Sequence, residues 1–176
     1  MSNLLLRGGA FLLTAAIVVP LVVFSVAQLV EDVGGWWGGV VLLVAVALVS
    51  VLSYLAAVRP ASAARWLAAG VVVLAVYVVA ESFISGDSIG AAAPTGMTVL
   101  AVPLAVLGLR RTREAGALLL ADSMIPLLSL LVLSGLSVDR TGAHLASSSE
   151  FVGIPVFVGG AFFLLASLLR SHHRGP

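Results

Sequence analysis

Residues 8–30 read GGAFLLTAAIVVPLVVFSVAQLV and carry no charged side chain. A helix rises about 1.5 Å per residue and the hydrocarbon core of a bilayer is about 30 Å thick, so about 20 apolar residues make one crossing. This stretch is long enough for one crossing. Because its apolar run is also longer than the core of a typical signal peptide, we expect a retained transmembrane helix rather than a cleaved leader.

The rest of the chain has the same apolar character. Hydrophobic residues make up 61% of it and charged residues 10%, with a mean hydropathy of +1.19, which is more apolar than a soluble domain tolerates. We predict an all-α, polytopic integral membrane protein in which six transmembrane helices form one compact bundle. The predicted spans are residues 8–30, 38–58, 65–85, 89–109, 115–138 and 151–169. The fourth opens with GAAAPTG, a poor helix former, which leaves its outer part open to an irregular form.

The arginines decide the predicted orientation of this bundle. Cytoplasmic loops of membrane proteins retain arginine and lysine, whereas acidic residues carry little topological weight. With six spans, every arginine except Arg140 falls on one side, at Arg7, Arg59, Arg65, Arg110, Arg111, Arg113, Arg170 and Arg174. We therefore predict a protein of the cell (cytoplasmic) membrane with both termini in the cytoplasm. Trp36 and Trp37 suit an outer aromatic anchor, and Trp66 suits an inner one.

Several function classes are disfavoured by what the sequence lacks. The net charge is +1 and there is no basic stripe, so nucleic acid is not an expected partner. The chain has no cysteine, no nucleotide-binding glycine pattern, no acidic metal cluster and no histidine inside a span, so we predict neither a cofactor nor a metal site. Asp139, His144 and Ser147 supply the residue types of a hydrolase triad, but without an oxyanion-hole signature we interpret them as a polar loop.

The most anomalous residue is Asp122. It lies seven residues after the predicted start of the fifth span, which places it about 10 Å into the hydrocarbon. An acid at a helix centre costs about 2.5 to 3.5 kcal/mol to insert and usually faces a bundle interior or water. The spans hold no arginine, lysine or histidine away from their ends. Asp122 must therefore be protonated, hydrated or paired with a cation from solution.

A proline one turn later strengthens the case for this position. Proline has no N–H, so Pro126 leaves the carbonyl oxygen of Asp122 without its usual helical donor. Ser123 and Ser129 are hydroxyl groups close by in the sequence. The segment therefore combines a carboxyl group, a free carbonyl oxygen and two hydroxyl groups.

Two further prolines lie at a similar predicted depth on other spans. Pro20 frees the carbonyl oxygen of Ala16, and Pro103 frees that of Val99. Helical rise puts both oxygens about 13 to 15 Å from the inner boundary. If the three helices converge, this layer forms a polar pocket near the midplane for a proton or cation. In the alternative, the prolines only kink their helices and Asp122 is a neutral acid hydrogen-bonded to a neighbouring helix.

Three polar residues lie near the outer ends of the first and third spans. Glu81 is sixteen residues beyond Arg65, about 24 Å along the axis. Tyr77 stands one turn earlier on the same side of the helix and Gln28 belongs to the first span. These residues are candidates for an outer vestibule that concentrates cations, although solvated interfacial side chains are the interpretation we favour.

Three classes of function remain open. The first and favoured one is transport of a proton, cation or small solute, with Asp122 as the coupling or binding group. The second is a non-catalytic subunit or regulator that packs against itself or a membrane partner, for which small residues four apart, such as Ala101 with Ala105 and Ala117 with Ala121, allow close helix contact. The third is a membrane enzyme that uses Asp122 as a general acid on a lipid-like substrate. The lipid bilayer is the one partner common to all three.

Overall fold

The computed structural model describes residues 2–84, 92–127 and 146–172. These ranges are helical apart from single connecting residues and contain no strand. The helices are α1 (Ser2–Val33), α2 (Gly35–Val58), α3 (Pro60–Ile84), α4 (Ala92–Arg110), α5 (Thr112–Ser123) and α6 (Ala146–His172). The predicted all-helical class with six helices is therefore confirmed for this part of the chain.

Three of the helices are long and apolar enough to cross a membrane. The qualifying segments are Arg7–Glu31 in α1, Gly35–Val58 in α2 and Pro60–Ala80 in α3, and shorter apolar segments occur at Thr95–Arg110 and Gly153–Leu169. The two shorter segments belong to α4 and α6, which overlap the fourth and sixth predicted spans. In the fifth predicted span, α5 ends at Ser123 and helical geometry resumes over residues 125–127; residues 128–138 lie outside the described ranges.

The structure shows helical backbone at the starts of α4 and α6. The sequence left the outer part of the GAAAPTG segment open to an irregular form, and α4 is helical from Ala92 onward. Ser147, interpreted from the sequence as part of a polar loop, lies in the first turn of α6. In both places the helix extends beyond the strongly apolar run, because backbone hydrogen bonding continues into polar residues once a turn has formed. Asp139, Arg140 and His144 lie outside the described residues.

The connections between successive helices are short. Gly34 and Gly35 join α1 to α2 with φ angles of 69° and 56°, a left-handed region that glycine enters without steric cost. Arg59 alone separates α2 from α3, and Pro60 opens α3, where the missing N–H of proline removes no helical bond. Arg111 alone separates α4 from α5. Connections this short make successive helices antiparallel neighbours.

Helix α4 is the centre of the bundle. It contacts all five other helices, and no residue between Thr95 and Gly108 is exposed. The hydroxyl group of Thr95 donates a hydrogen bond of 3.1 Å to the backbone oxygen of Ser25, which ties α4 to α1. Helix α2 is the opposite case, since Gly38 and Ala56 are its only buried residues. Most of its large apolar side chains are exposed, and Leu52 and Leu55 pack against the core.

Glycines allow α6 to pack closely against its neighbours. A Cβ atom on Gly116 of α5 would lie 3.0 Å from the backbone oxygen of Gly160 in α6. On α4, a Cβ atom at Gly108 would collide with the ring of Phe163. On the α1 side, a Cβ atom at Gly159 would lie 2.8 Å from the hydroxyl group of Thr14. These close approaches bring α1, α4, α5 and α6 together around one interior.

Candidate functional site

Asp122 belongs to the side of α5 that is turned into the bundle. The buried residues of α5 share one face at helical spacing and are Thr112, Ala115, Gly116, Leu119, Asp122 and Ser123. Asp122 itself is fully buried, with 0% of its surface exposed. The i, i+3, i+4, i+7 spacing of this set is the pattern of a helix packed along one stripe. Asp122 therefore belongs to the packed face of α5 and does not point outward.

Helix α6 is the neighbour that runs alongside this face. Gly160 lies against Gly116 and Leu119, whereas a Cβ atom on Gly153 would lie 3.5 Å from the backbone oxygen of Ser123. The two contacts define an antiparallel register for the pair. Asp122 lies between them along the axis of α5, at the level of the segment of α6 between Gly153 and Gly160.

The carboxyl group of Asp122 has no partner within the part of the chain that the structure describes. Neither of its two oxygens accepts or donates a hydrogen bond there. The neighbouring Ser123 hydroxyl group is already used, since it donates to the backbone oxygen of Leu120 at 2.7 Å. A buried carboxylate without a partner is costly by several kcal/mol, on the order of the desolvation penalty of an ion. A proton or a cation held by these oxygens removes that cost.

The position of Asp122 along α5 can be measured from the charged residues at the start of the helix. Arg111 and Glu114 form an ion pair in the first turn of α5, and both side chains are partly exposed. Asp122 lies eight residues beyond Glu114, about 12 Å further along the helix axis. The two acids of α5 therefore have opposite surroundings, since one is solvated and paired and the other is enclosed.

The predicted proline sites fall into two groups. Pro103 and Val99 are buried in α4, and Pro126 is half-buried one turn beyond Asp122, where it cannot donate to the carbonyl oxygen of Asp122. By contrast, Pro20 and Ala16 lie on the exposed side of α1. Pro103 is thus in the interior, Pro126 beyond the end of α5 is partly buried, and Pro20 of α1 is exposed. Ser129 lies outside the described residues.

A fourth proline of the same kind was missed by the sequence reasoning. Pro155 lies inside α6 and cannot donate to the backbone oxygen of Phe151, one turn earlier. Gly153, which approaches Ser123, lies between these two residues. The rule that singled out Pro126 would have found Pro155, but the sequence alone did not indicate that α6 is the helix packed against α5.

The three candidates for an outer vestibule are not brought together by any described contact. Gln28 is exposed on α1, and Tyr77 is 44% exposed on α3. Glu81 belongs to the last turn of α3, and its side chain lies outside the described residues. The vestibule stays a prediction.

A separate apolar groove lies between α1 and α2. It has a volume of about 490 Å³ and is lined chiefly by valines of these two helices, together with Val99 of α4, Ser50 of α2 and Glu31 at the end of α1. Val99 is the only predicted site residue among its lining residues. Asp122 does not line the groove.

No candidate metal centre is found among the described residues, since no three of their histidine, aspartate and glutamate side chains gather at one place. Comparisons of the chain with models of protein families, with curated proteins and with solved structures found no match.

Proposed function

We propose that this chain is a six-pass protein of the cytoplasmic membrane that moves a proton or a small cation, with Asp122 as the group that binds it. The observation that supports the proposal most strongly is the full burial of Asp122 with two carboxyl oxygens that have no described partner. Acids within membrane helices mark ion and proton pathways more often than they serve as structural hydrogen-bonding groups. A structural acid would be expected to use its oxygens in hydrogen bonds to a neighbouring helix.

The surroundings of Asp122 favour a small occupant. Gly116, Gly153 and Gly160 let α5 and α6 approach closely, which leaves little room beside the carboxyl group for a large solute. The backbone oxygen of Asp122 accepts from the N–H of Met124, but Pro155 has no N–H to donate to the backbone oxygen of Phe151, one turn earlier in α6. Carbonyl oxygens freed in this way are the ligands that broken membrane helices offer to cations.

The proposed orientation places both termini in the cytoplasm. Arg59 and Arg111 form the single-residue connections after α2 and α4, where the positive-inside rule expects basic residues on the cytoplasmic side. The chain has no cysteine, so single cysteines report accessibility without background. In intact cells, a membrane-impermeant maleimide should label Trp37→Cys and leave Ser62→Cys unlabelled until the membrane is opened. The reverse pattern would overturn the orientation.

The transport test uses purified protein in liposomes that contain a pH-sensitive dye. A proton gradient with a potassium diffusion potential should drive dye-reported flux through the unaltered protein. Asp122→Asn keeps the volume of the side chain and removes its charge, and we expect flux to fall at least tenfold. Glu114→Gln is the matched control, because it removes an acid of the same helix that is partly exposed and paired with Arg111. The control should retain full flux, and repeating the assay with sodium or potassium in place of a proton gradient identifies the ion.

A subunit or regulator is the second candidate, favoured by the surface of α2. Helix α2 buries only Gly38 and Ala56 and leaves large side chains such as Leu43 and Tyr54 more than 60% exposed. This surface suits a second copy or a membrane partner as well as lipid. No flux from either the unaltered protein or Asp122→Asn, together with a partner that co-purifies only with intact α2, would favour this function over transport.

The enzyme hypothesis lacks a comparable observation. It requires an apolar cavity that meets the Asp122 carboxyl group, and the groove between α1 and α2 does not include Asp122 among its lining residues. We therefore place it behind the other two candidates.

A further inference from the structure

The groove between α1 and α2 has a defined direction. Val30 of α1 lies against Gly38 of α2, which fixes the register of this antiparallel pair. Glu31 is therefore at the end of the groove beside the connection between the two helices, and Val22 and Ser50 are at the opposite end. From Val22 to Glu31 the groove follows α1 for about 13 Å.

The lining of the groove is apolar except at these two ends. Ten of its residues are Val, Ala or Leu, and Ser50 and Glu31 are the two polar ones. Its rim is open to the surroundings of the protein, since Val23 is 66% exposed and Val46 is 55% exposed. A flexible hydrocarbon chain that enters from the side fits such a surface, because its methylene groups can make van der Waals contacts with the valine, alanine and leucine side chains of the lining.

Glu31 gives the groove a charge preference. Its side chain is exposed, and within the described residues it forms no ion pair, the single pair there being that of Arg111 with Glu114. A cationic head group placed at this end would meet a carboxylate with no competing basic side chain among the described residues. A sulfate or phosphate head group would be repelled at the same place.

We infer that this groove binds a single-chain alkylammonium amphiphile, with its hydrocarbon chain between α1 and α2 and its ammonium head at Glu31. The inference does not rest on the proposed transport function, because Asp122 is not part of the groove. It assigns the groove a ligand class with two requirements, an apolar chain and a positive head. The apolar lining of the groove favours the chain, and Glu31 selects the head.

The first test varies the head group on the unaltered protein. Radiolabelled dodecyltrimethylammonium is titrated onto protein in phosphatidylcholine nanodiscs, with protein-free nanodiscs as the background. We expect saturable binding of about one probe per chain and competition by unlabelled dodecyltrimethylammonium. Dodecyl maltoside, which has the same chain and no charge, should compete about fivefold more weakly, and dodecyl sulfate, which has the same chain and a negative head, more weakly still. Equal competition by all three would overturn the inference, as would binding no greater than to empty nanodiscs.

The second test separates the two requirements with matched variants. Ala45→Trp fills the groove, and Ala47→Trp makes the same change at an exposed position of α2 that does not line it. We expect the first to weaken binding at least tenfold and the second to leave it unchanged. Glu31→Gln should weaken binding about fivefold, as expected for a solvent-accessible ion pair, whereas Glu114→Gln and Asp122→Asn should have no effect.

The variants also distinguish this inference from simple lipid occupancy. If the groove is a general site for acyl chains, Glu31→Gln will bind the probe as well as the unaltered protein does, and the uncharged dodecyl maltoside will displace the probe as well as unlabelled dodecyltrimethylammonium does. Either result contradicts an ammonium-selective site. Size-exclusion profiles of Ala45→Trp and Ala47→Trp should be identical, and the head-group series on the unaltered protein decides the question if they are not.

Discussion

Two acidic residues of this protein show what the interior of the bundle does to a carboxyl group. Asp122 on α5 is fully buried and has no described partner, whereas Glu31 on α1 is exposed at the open end of an apolar groove. Solvent stabilises the second group at no cost to the fold, but the first has no such support. The difference supports the proposal that Asp122 is a functional group, because an unpartnered buried carboxyl group lowers the stability of the fold. Glu31, being exposed, carries no such penalty.

The largest effect is expected where α5 meets α6. Gly116→Leu would place a side chain against Leu164 and the backbone of Gly160, and overpacking of this kind should lower the free energy of unfolding by about 3 kcal/mol. Gly39→Leu is the control, because a Cβ atom there meets nothing within 4 Å. Reversible unfolding in mixed detergent micelles measures both. Equal stability of the two variants would show that α5 and α6 do not pack as closely as described.

The second prediction is a gain in the free energy of unfolding instead of a loss. Asp122→Leu replaces an unpartnered buried carboxyl group with an apolar side chain, and we expect the free energy of unfolding to rise by about 2 kcal/mol. Glu31→Leu, at the exposed end of the groove, should change it by less than about 0.5 kcal/mol. A marked loss of stability in Asp122→Leu would indicate that the carboxyl group holds the bundle together, and the contrast between the two acids would then fail.

The third and smallest effect concerns α4, which packs against both α1 and α5. Thr95→Val removes the hydrogen bond from α4 to the backbone oxygen of Ser25 on α1, and we expect a loss of about 1 kcal/mol in the same unfolding assay. Thr98→Val removes a bond within α4 itself, to the backbone oxygen of Thr95, and should cost less. The opposite ranking would show that the Thr95 bond does not tie α1 to α4.

The sequence predicted the helical class and placed Asp122 inside an apolar helical segment. Both inferences depend only on the chain's own composition and on helical rise. The sequence did not predict which side of each helix turns inward. In a helix that is apolar all round, hydrophobic periodicity does not distinguish a buried side from a lipid-facing one. Pro20 and Pro103 therefore looked equivalent in the sequence, although one is exposed and the other buried.

The pairs of small residues four apart also show that the sequence did not predict which side of a helix is buried. Ala101 and Ala105 are buried in α4, as their four-residue spacing indicated. Ala117 and Ala121 are exposed, and the close approach of α5 to α6 is made by Gly116 instead. Which small residue marks a contact depends on the partner helix, and the spacing on one helix does not contain that information.

The most direct test of the central claim measures flux and stability on the same preparation of Asp122→Asn in liposomes. We predict that proton or cation flux falls at least tenfold while the midpoint of thermal unfolding stays within a few degrees of that of the unaltered protein. Such a result would assign Asp122 to transport rather than to folding. Undiminished flux through a stably folded Asp122→Asn protein would contradict the proposal that this buried carboxyl group binds the transported ion.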